Sequence, residues 1–327
     1  MNAVMPLDAL STTAAPRDAL PANATPRDAL PDAPVRFDGL WLPMITPLRQ
    51  GRVDLYAAQA LARRYRDAGL AGLVLFGSTG EGSLLSIAEK CEVLDAVRGD
   101  ANALPVVIGA GGIDTRSVTA LIRRFERAAP AAYLVPPPAY LRPSQAGIVW
   151  HYHQIAWTTE RPIILYNIPE RTGVALTVDT METLARDPQY AAVKECHPGL
   201  LAALNQRGRV QALCGADAML MDHFLAGGTG AIPAAAHLFP ERFVAMMRAA
   251  RAGDAPRAEA LFAPLRKLIR LLFSEPNPAP LKRALSMQGL IVDELRQPLM
   301  PASAELTAKL ERTLAQAAEP PAQLPAA

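Results

Sequence analysis

The sequence predicts a closed (β/α)8 barrel, a TIM barrel, and two observations lead there. Eight short apolar runs recur between residues 40 and 232: Leu40–Ile45, Gly72–Phe76, Pro105–Gly109, Ala131–Val135, Pro162–Tyr166, Ala191–Lys194, Val210–Cys214 and Thr229–Ile232. Stretches with helical periodicity separate them, and strands alternating with helices at this count and length form a parallel sheet closed on itself. The runner-up is a doubly wound open sheet. It lacks support, because no GxGxxG follows the first strand.

The elements justify themselves in order. Residues 1–34 repeat Pro-Leu-Asp-Ala-Leu and then Pro-Arg-Asp-Ala-Leu twice in an Ala/Pro/Thr background. Too few large apolar groups are present to build a core, so this segment is expected to be a disordered arm. Residues 35–240 are the expected barrel core. The first helix, over Leu55–Ala68, sets Leu55, Ala58, Leu61, Ala62 and Tyr65 on one face. Asp54 precedes it as N-cap and Gly69 follows as C-cap. Ser86 and Glu89 open the second helix as a capping box.

Residues 241–318 carry four more helical patterns, at 241–251, 255–273, 279–289 and 302–317. One completes the barrel and the others form a C-terminal helical extension. The Glu275–Pro280 segment, with three prolines, must interrupt helix there. Residues 319–327 form an expected flexible tail.

Composition narrows the function classes. Of 327 residues, 50% are apolar and 20% charged, which provides a sizeable core and excludes global disorder. Basic and acidic residues (33 and 31) are well mixed, so no stripe exists to track nucleic acid. No apolar run reaches a membrane span, and no basic-then-apolar leader opens the chain. Cys91, Cys196 and Cys214 lack paired spacing, which points to a reducing compartment without disulfides or zinc. A cytoplasmic location is expected.

Chemistry in such barrels sits at the C-terminal strand ends. There the sixth run, Tyr190–Glu195, stops in Lys194. A strand-end lysine is ordinarily solvated or paired, here with Glu195 as candidate partner. Buried, its pKa falls, and a neutral amine forms a Schiff base with a carbonyl. The second run ends in Gly77-Ser78-Thr79-Gly80-Glu81, two hydroxyls between glycines that can bind a carboxylate or merely cap a helix. The fifth ends in Tyr166, with Arg171 close behind. The phenol can relay protons and the guanidinium can clamp a carboxylate, or the ring can pack and the arginine lie in solvent. Ile232 closes the eighth run. A hydroxyl pair, a phenol and a lysine together at strand ends favour chemistry over chance.

Several features read as bland. His151 and His153 stand at i, i+2 and point apart, unlike helical metal pairs. His197 either lines the site mouth or is a surface residue. Arg123, Arg124 and Arg127 form a solvated helix face, and Met246-Met247 fills core.

The blocks Gly77–Glu81, Tyr166-Asn167-Ile168-Pro169 with Arg171-Thr172-Gly173, and Val193-Lys194-Glu195 resemble the signature blocks of the dihydrodipicolinate synthase / N-acetylneuraminate lyase family. The resemblance runs from Phe37 to Pro301 and includes Tyr140–Ser144, Glu275–Pro278 and Leu295–Leu299. It implies a pyruvate-dependent class I aldolase-type lyase with no cofactor beyond its lysine.

By that resemblance Lys194 forms the imine with pyruvate and Tyr166 relays protons. Ser78 and Thr79 hold the carboxylate, with Gly80 and Ile232 in the substrate-binding set. Tyr140 reaches the site from a neighbouring subunit of a homodimer or homotetramer. Arg171 resembles the arginine with which synthases bind aspartate semialdehyde, so the implied reaction condenses that aldehyde with pyruvate.

Departures from the family's pattern are Ser78 for threonine, Cys196-His197-Pro198-Gly199 after the lysine, and Ala139 for a tyrosine. They keep open a lyase of a sugar-derived 2-keto acid, or a keto-acid-binding member without turnover. Ile113, Ser117 and Ala139 stand where lysine-regulated members carry an amide, a carboxylate and a phenol, which implies no feedback inhibition by lysine.

Overall fold

The structure, a computed structural model, describes residues 35–319. The arm expected over residues 1–34 and nearly all of the expected tail lie outside the described residues. Eight parallel strands close a barrel, each paired with the next and the last with the first. They are β1 (Gly39–Pro43), β2 (Gly72–Leu75), β3 (Val106–Gly109), β4 (Ala132–Val135), β5 (Ile163–Asn167), β6 (Tyr190–Glu195), β7 (Gln211–Cys214) and β8 (Gly230–Ala231). Each coincides with one of the eight apolar runs. A two-residue hairpin, Leu48–Arg49 with Arg52–Val53, follows β1.

Helices α1 (Leu55–Asp67), α2 (Ile87–Arg98), α3 (Thr115–Phe125) and α4 (Gln145–Ala156) follow the first four strands. The one-turn α5 (Pro169–Thr172) and α6 (Val178–Leu184) follow β5. Then come α7 (Pro198–Arg207), α8 (Leu220–Leu225) and α9 (Pro240–Arg251), the last packing on α8 and β1 to close the outer ring. The extension is α10 (Ala255–Leu272), α11 (Ala279–Met287) and α12 (Ala304–Ala318). Among the described residues, no helix is long and apolar enough to cross a membrane.

Local chemistry sets the helix ends as expected, with small differences. Asp54 accepts from the Ala57 N–H at 3.0 Å, and the Ser86–Glu89 capping box is complete in both directions. The α1 C-cap is Ala68, with Gly69 one residue beyond supplying the left-handed turn. Leu55 stands exposed in the first turn, so the buried face of α1 is Ala57, Ala58, Leu61, Ala62 and Tyr65. The proline-rich segment does separate α10 from α11, although its last two residues, Ala279 and Pro280, already form the first turn of α11.

Two apolar layers follow from the strand alternation. Leu73, Leu75, Val106, Ile108, Ile163 and Leu165 pack outward under the helices, while Val74, Val107 and Ile164 fill the barrel interior. In β6 the alternation slips. The register with β5 shifts between Ile163 and Ile164, so Ala191 and Ala192 both belong to the inner cluster. After this bulge Val193 faces outward and Lys194 inward.

Met246 and Met247 are core residues, as expected, and Arg123, Arg124 and Arg127 are exposed. His151 is buried and bonded to the Thr115 hydroxyl at 2.9 Å, whereas His153 is exposed.

Candidate active site

Register brings the phenol and the amine together. Tyr166 pairs with Lys194 and Asn167 with Glu195 across β5 and β6. Because successive side chains point to opposite faces, the first pair enters the barrel and the second leaves it. Outside the barrel, Asn167 donates to Glu195 at 2.7 Å and accepts from the Leu176 N–H at 2.9 Å. Glu195 also caps the turn beyond β6, accepting from the N–H groups of Cys196 (2.8 Å) and His197 (2.7 Å). Glu195 is therefore not the partner of Lys194. Its carboxylate is consumed in pinning the strand ends that aim the lysine.

Inside, the Lys194 ammonium lies 4.4 Å from the centroid of the Tyr166 ring, and Lys194 is 6% exposed. The two line a cavity of about 520 Å³ at the C-terminal mouth of the barrel, with Ser78, Thr79, Arg171 and Ile232. Six of the eight expected residues thus share one cavity, and two do not line it. Gly80 sits behind the loop, its carbonyl accepting from the Thr46 hydroxyl at 2.8 Å, where a Cβ would lie 2.8 Å from the Met44 carbonyl. Tyr140 is 87% exposed and does not line the cavity of its own chain. His197 is exposed and is not among the lining residues, while its neighbour Cys196 is.

The loop after β2 is held in an uncommon conformation. Phe76 and Glu81 both take positive φ, at 61° and 54°, and a Cβ on Gly82 would lie 1.8 Å from the Phe76 carbonyl oxygen. Such strain of about 1–3 kcal/mol per residue persists only where surroundings impose it. Here the imposing contact is an ion pair of Glu81 with Lys282 of α11, both side chains fully buried. Glu81 also accepts from the Arg296 N–H at 2.8 Å. Removing one partner of such a pair strands a buried charge and typically costs about 3–5 kcal/mol.

The sequence reading missed three residues here. Asp217 is buried beside the lysine and accepts from the Ala235 N–H at 2.5 Å. Gly215 leaves the space that Lys194 occupies, and Asn277 donates to the Thr79 hydroxyl at 2.9 Å. The first two follow the seventh apolar run, where the strand-end rule could have found them. Asn277 sits in a block already noted, but no local signal tells that it faces Thr79.

The electrostatics correct one expectation. Burial pushes the Lys194 amine down, but the ionisable groups of Tyr166, Cys196 and Asp217 around it push it up further, and the net direction is upward. The resting lysine is an ammonium with nearby acceptors for its proton. Burial pushes the Asp217 carboxyl up to about 6, against the N–H groups of Ala235 and Ala234 and the charge of Lys194. The Cys196 thiol is pushed up by burial to about 11, which keeps it protonated and a poor nucleophile at neutral pH.

A second cavity of about 580 Å³ flanks the first and shares Ser78, Tyr166, Ile168 and Arg171 with it. Ile113, Ser117, Ala139 and Lys90 lie on its walls. Burial lowers the Lys90 pKa.

A (β/α)8 barrel whose mouth gathers an amine, a phenol and two hydroxyls around one cavity defines a lyase-type barrel enzyme. The chain belongs to the dihydrodipicolinate synthetase family, whose model matches residues 36–317. It is 35% identical over 286 residues to 4-hydroxy-tetrahydrodipicolinate synthase 2 of Clostridium acetobutylicum, covering 86% of this chain and 100% of that protein. To the 4-hydroxy-tetrahydrodipicolinate synthase of Haloarcula marismortui it is 37% identical over 287 residues, covering 86% and 94%. The crystal structure of the chloride-inhibited dihydrodipicolinate synthase of Acinetobacter baumannii complexed with pyruvate superposes with a TM-score of 0.83. Identity there is 32%, over 86% of this chain and 99% of that one.

Proposed function

We propose that this chain is a 4-hydroxy-tetrahydrodipicolinate synthase, condensing pyruvate with aspartate semialdehyde through an imine on Lys194. The observation that carries the proposal is the Lys194 ammonium packed against Tyr166 on the wall of a cavity that also holds Ser78, Thr79 and Arg171. Curated relatives bearing that name, matched over nearly their whole length, support it.

In this scheme Lys194 gives up a proton to the acceptors beside it and its amine attacks the keto carbon of pyruvate. Tyr166 delivers the proton with which the carbinol oxygen leaves as water. The resulting iminium is the electron sink: loss of a methyl proton gives the enamine, whose carbon attacks the aldehyde carbon. Ser78 and Thr79 donate to the pyruvate carboxylate and Arg171 clamps that of the aldehyde. Ile232 forms apolar wall, and Gly80 acts through the backbone of the loop. Tyr140 would complete the site of a neighbouring copy. Its exposure, with Leu141 (60%) and Ile113 (61%) exposed nearby in the sequence and on the cavity wall, supports self-association. The setting is cytoplasmic lysine biosynthesis.

The test is borohydride reduction with and without pyruvate, followed by peptide mapping. A pyruvate-dependent adduct on the Lys194 peptide is expected. Its absence from folded protein would overturn the imine chemistry. Loss of free pyruvate from solution when aspartate semialdehyde is added without borohydride, but not when sugar-derived aldehydes are added, is the expected result for the second substrate.

A further inference from the structure

The Thr79 hydroxyl has a single proton, and that proton serves a carboxylate only if it points into the cavity. Asn277, from the segment between α10 and α11, donates its side-chain N–H to Thr79 Oγ1 at 2.9 Å. An amide N–H only donates, so the hydroxyl oxygen accepts there and must send its own proton elsewhere. Among the described residues nothing accepts that proton. Both Thr79 and Asn277 line the cavity with Ser78, Tyr166 and Lys194.

The contact spans 198 residues of sequence and is braced from behind. Two residues past Thr79, Glu81 pairs with Lys282, which lies five residues past Asn277 and also donates to the Glu294 carbonyl at 2.8 Å. Loop and extension are thus tied at three points: the fully buried ion pair, the Arg296 N–H donated to Glu81, and a neutral hydrogen bond facing the cavity.

We infer that Asn277 is a positioning residue that fixes the direction of the Thr79 hydroxyl, presenting its proton to the carboxylate of the bound keto acid, while the Glu81–Lys282 pair holds the extension in register for it. The inference rests on the imine reading given above. It assigns the C-terminal extension a part in substrate binding as well as in packing.

The experiment measures the pyruvate concentration for half-maximal borohydride trapping on Lys194, in the full chain, for Asn277→Ala and Asn277→Asp. Losing one oriented hydrogen bond raises that concentration about tenfold in Asn277→Ala, with the adduct yield at saturation unchanged. Asn277→Asp is nearly isosteric but accepts instead of donating. It captures the Thr79 proton, turns the oxygen lone pairs toward the substrate carboxylate, and raises the concentration further than alanine does.

Alanine raising that concentration more than aspartate does would overturn the proposal. So would a shift below twofold in both variants. A third arm protects the test from a folding artefact: in a Thr79→Ala background, Asn277→Ala adds no further loss if it acts through that hydroxyl. An added loss there equal to that in the parent would also overturn it. Failure of the parent itself to trap pyruvate would remove the imine reading, and the inference with it. Normal trapping with unshifted variants would remove the inference alone.

Discussion

Substituting Gly215 by alanine probes the lysine without touching its chemistry. Gly215 ends the β7 turn, with its N–H donated to the Glu195 carbonyl at 2.8 Å and no positive φ, so the backbone accepts an alanine. The added methyl would lie 2.9 Å from Lys194 Cε, 3.1 Å from its Cγ and 2.7 Å from Cys196 Sγ. Carbon atoms settle at about 3.5–4.0 Å, so the lysine must withdraw by at least about 0.6 Å. Tyr166 packs against it on one side, so it gives way toward the open cavity, and overpacking of this kind costs at most about 1–3 kcal/mol. The fold survives that cost; the reaction geometry does not, since a misplacement near 1 Å slows an oriented reaction about 100-fold. The assay is the rate of borohydride trapping with saturating pyruvate, with the melting temperature as folding control. An alanine variant that stays folded and traps within threefold of the parent rate would refute the close packing of Lys194 against Gly215.

Two more outcomes follow from the same surroundings. Asp217→Asn removes one of the charges that push Lys194 up, so the amine loses its proton at lower pH. The rising limb of the trapping rate moves to lower pH, and a limb that stays or moves up counts against the Lys194–Asp217 coupling. Free lysine leaves turnover unaffected in the sub-millimolar range, because Ile113, Ser117 and Ala139 offer its ammonium no carboxylate while Lys90 adds a like charge to the same cavity. Inhibition in a lysine titration would contradict this.

Much of the barrel was legible because its signals are local. Apolar runs, the Asp54 cap and the Ser86–Glu89 box depend on neighbours within four residues, and each reappears in the structure. The strand-end rule pointed to Lys194, Tyr166, Ser78, Thr79 and Arg171, the family resemblance added Ile232, and one cavity gathers all six. The rule failed where a local signal is ambiguous. Glu195 is adjacent to Lys194 in sequence yet faces the opposite side of the sheet, and the net charge around Lys194 reverses the effect of its burial.

By itself, then, the sequence determined the element order and the kinds of group at the strand ends, since hydrophobic period and capping act over a few residues. Tertiary structure alone decided which faces those groups present and what meets them. The bulge in β6 turns Lys194 inward, closure of the barrel sets Gly215 and Asp217 against it, and a buried ion pair carries Asn277 to Thr79. Register and long-range packing fix those contacts, and neither leaves a periodic trace in the chain.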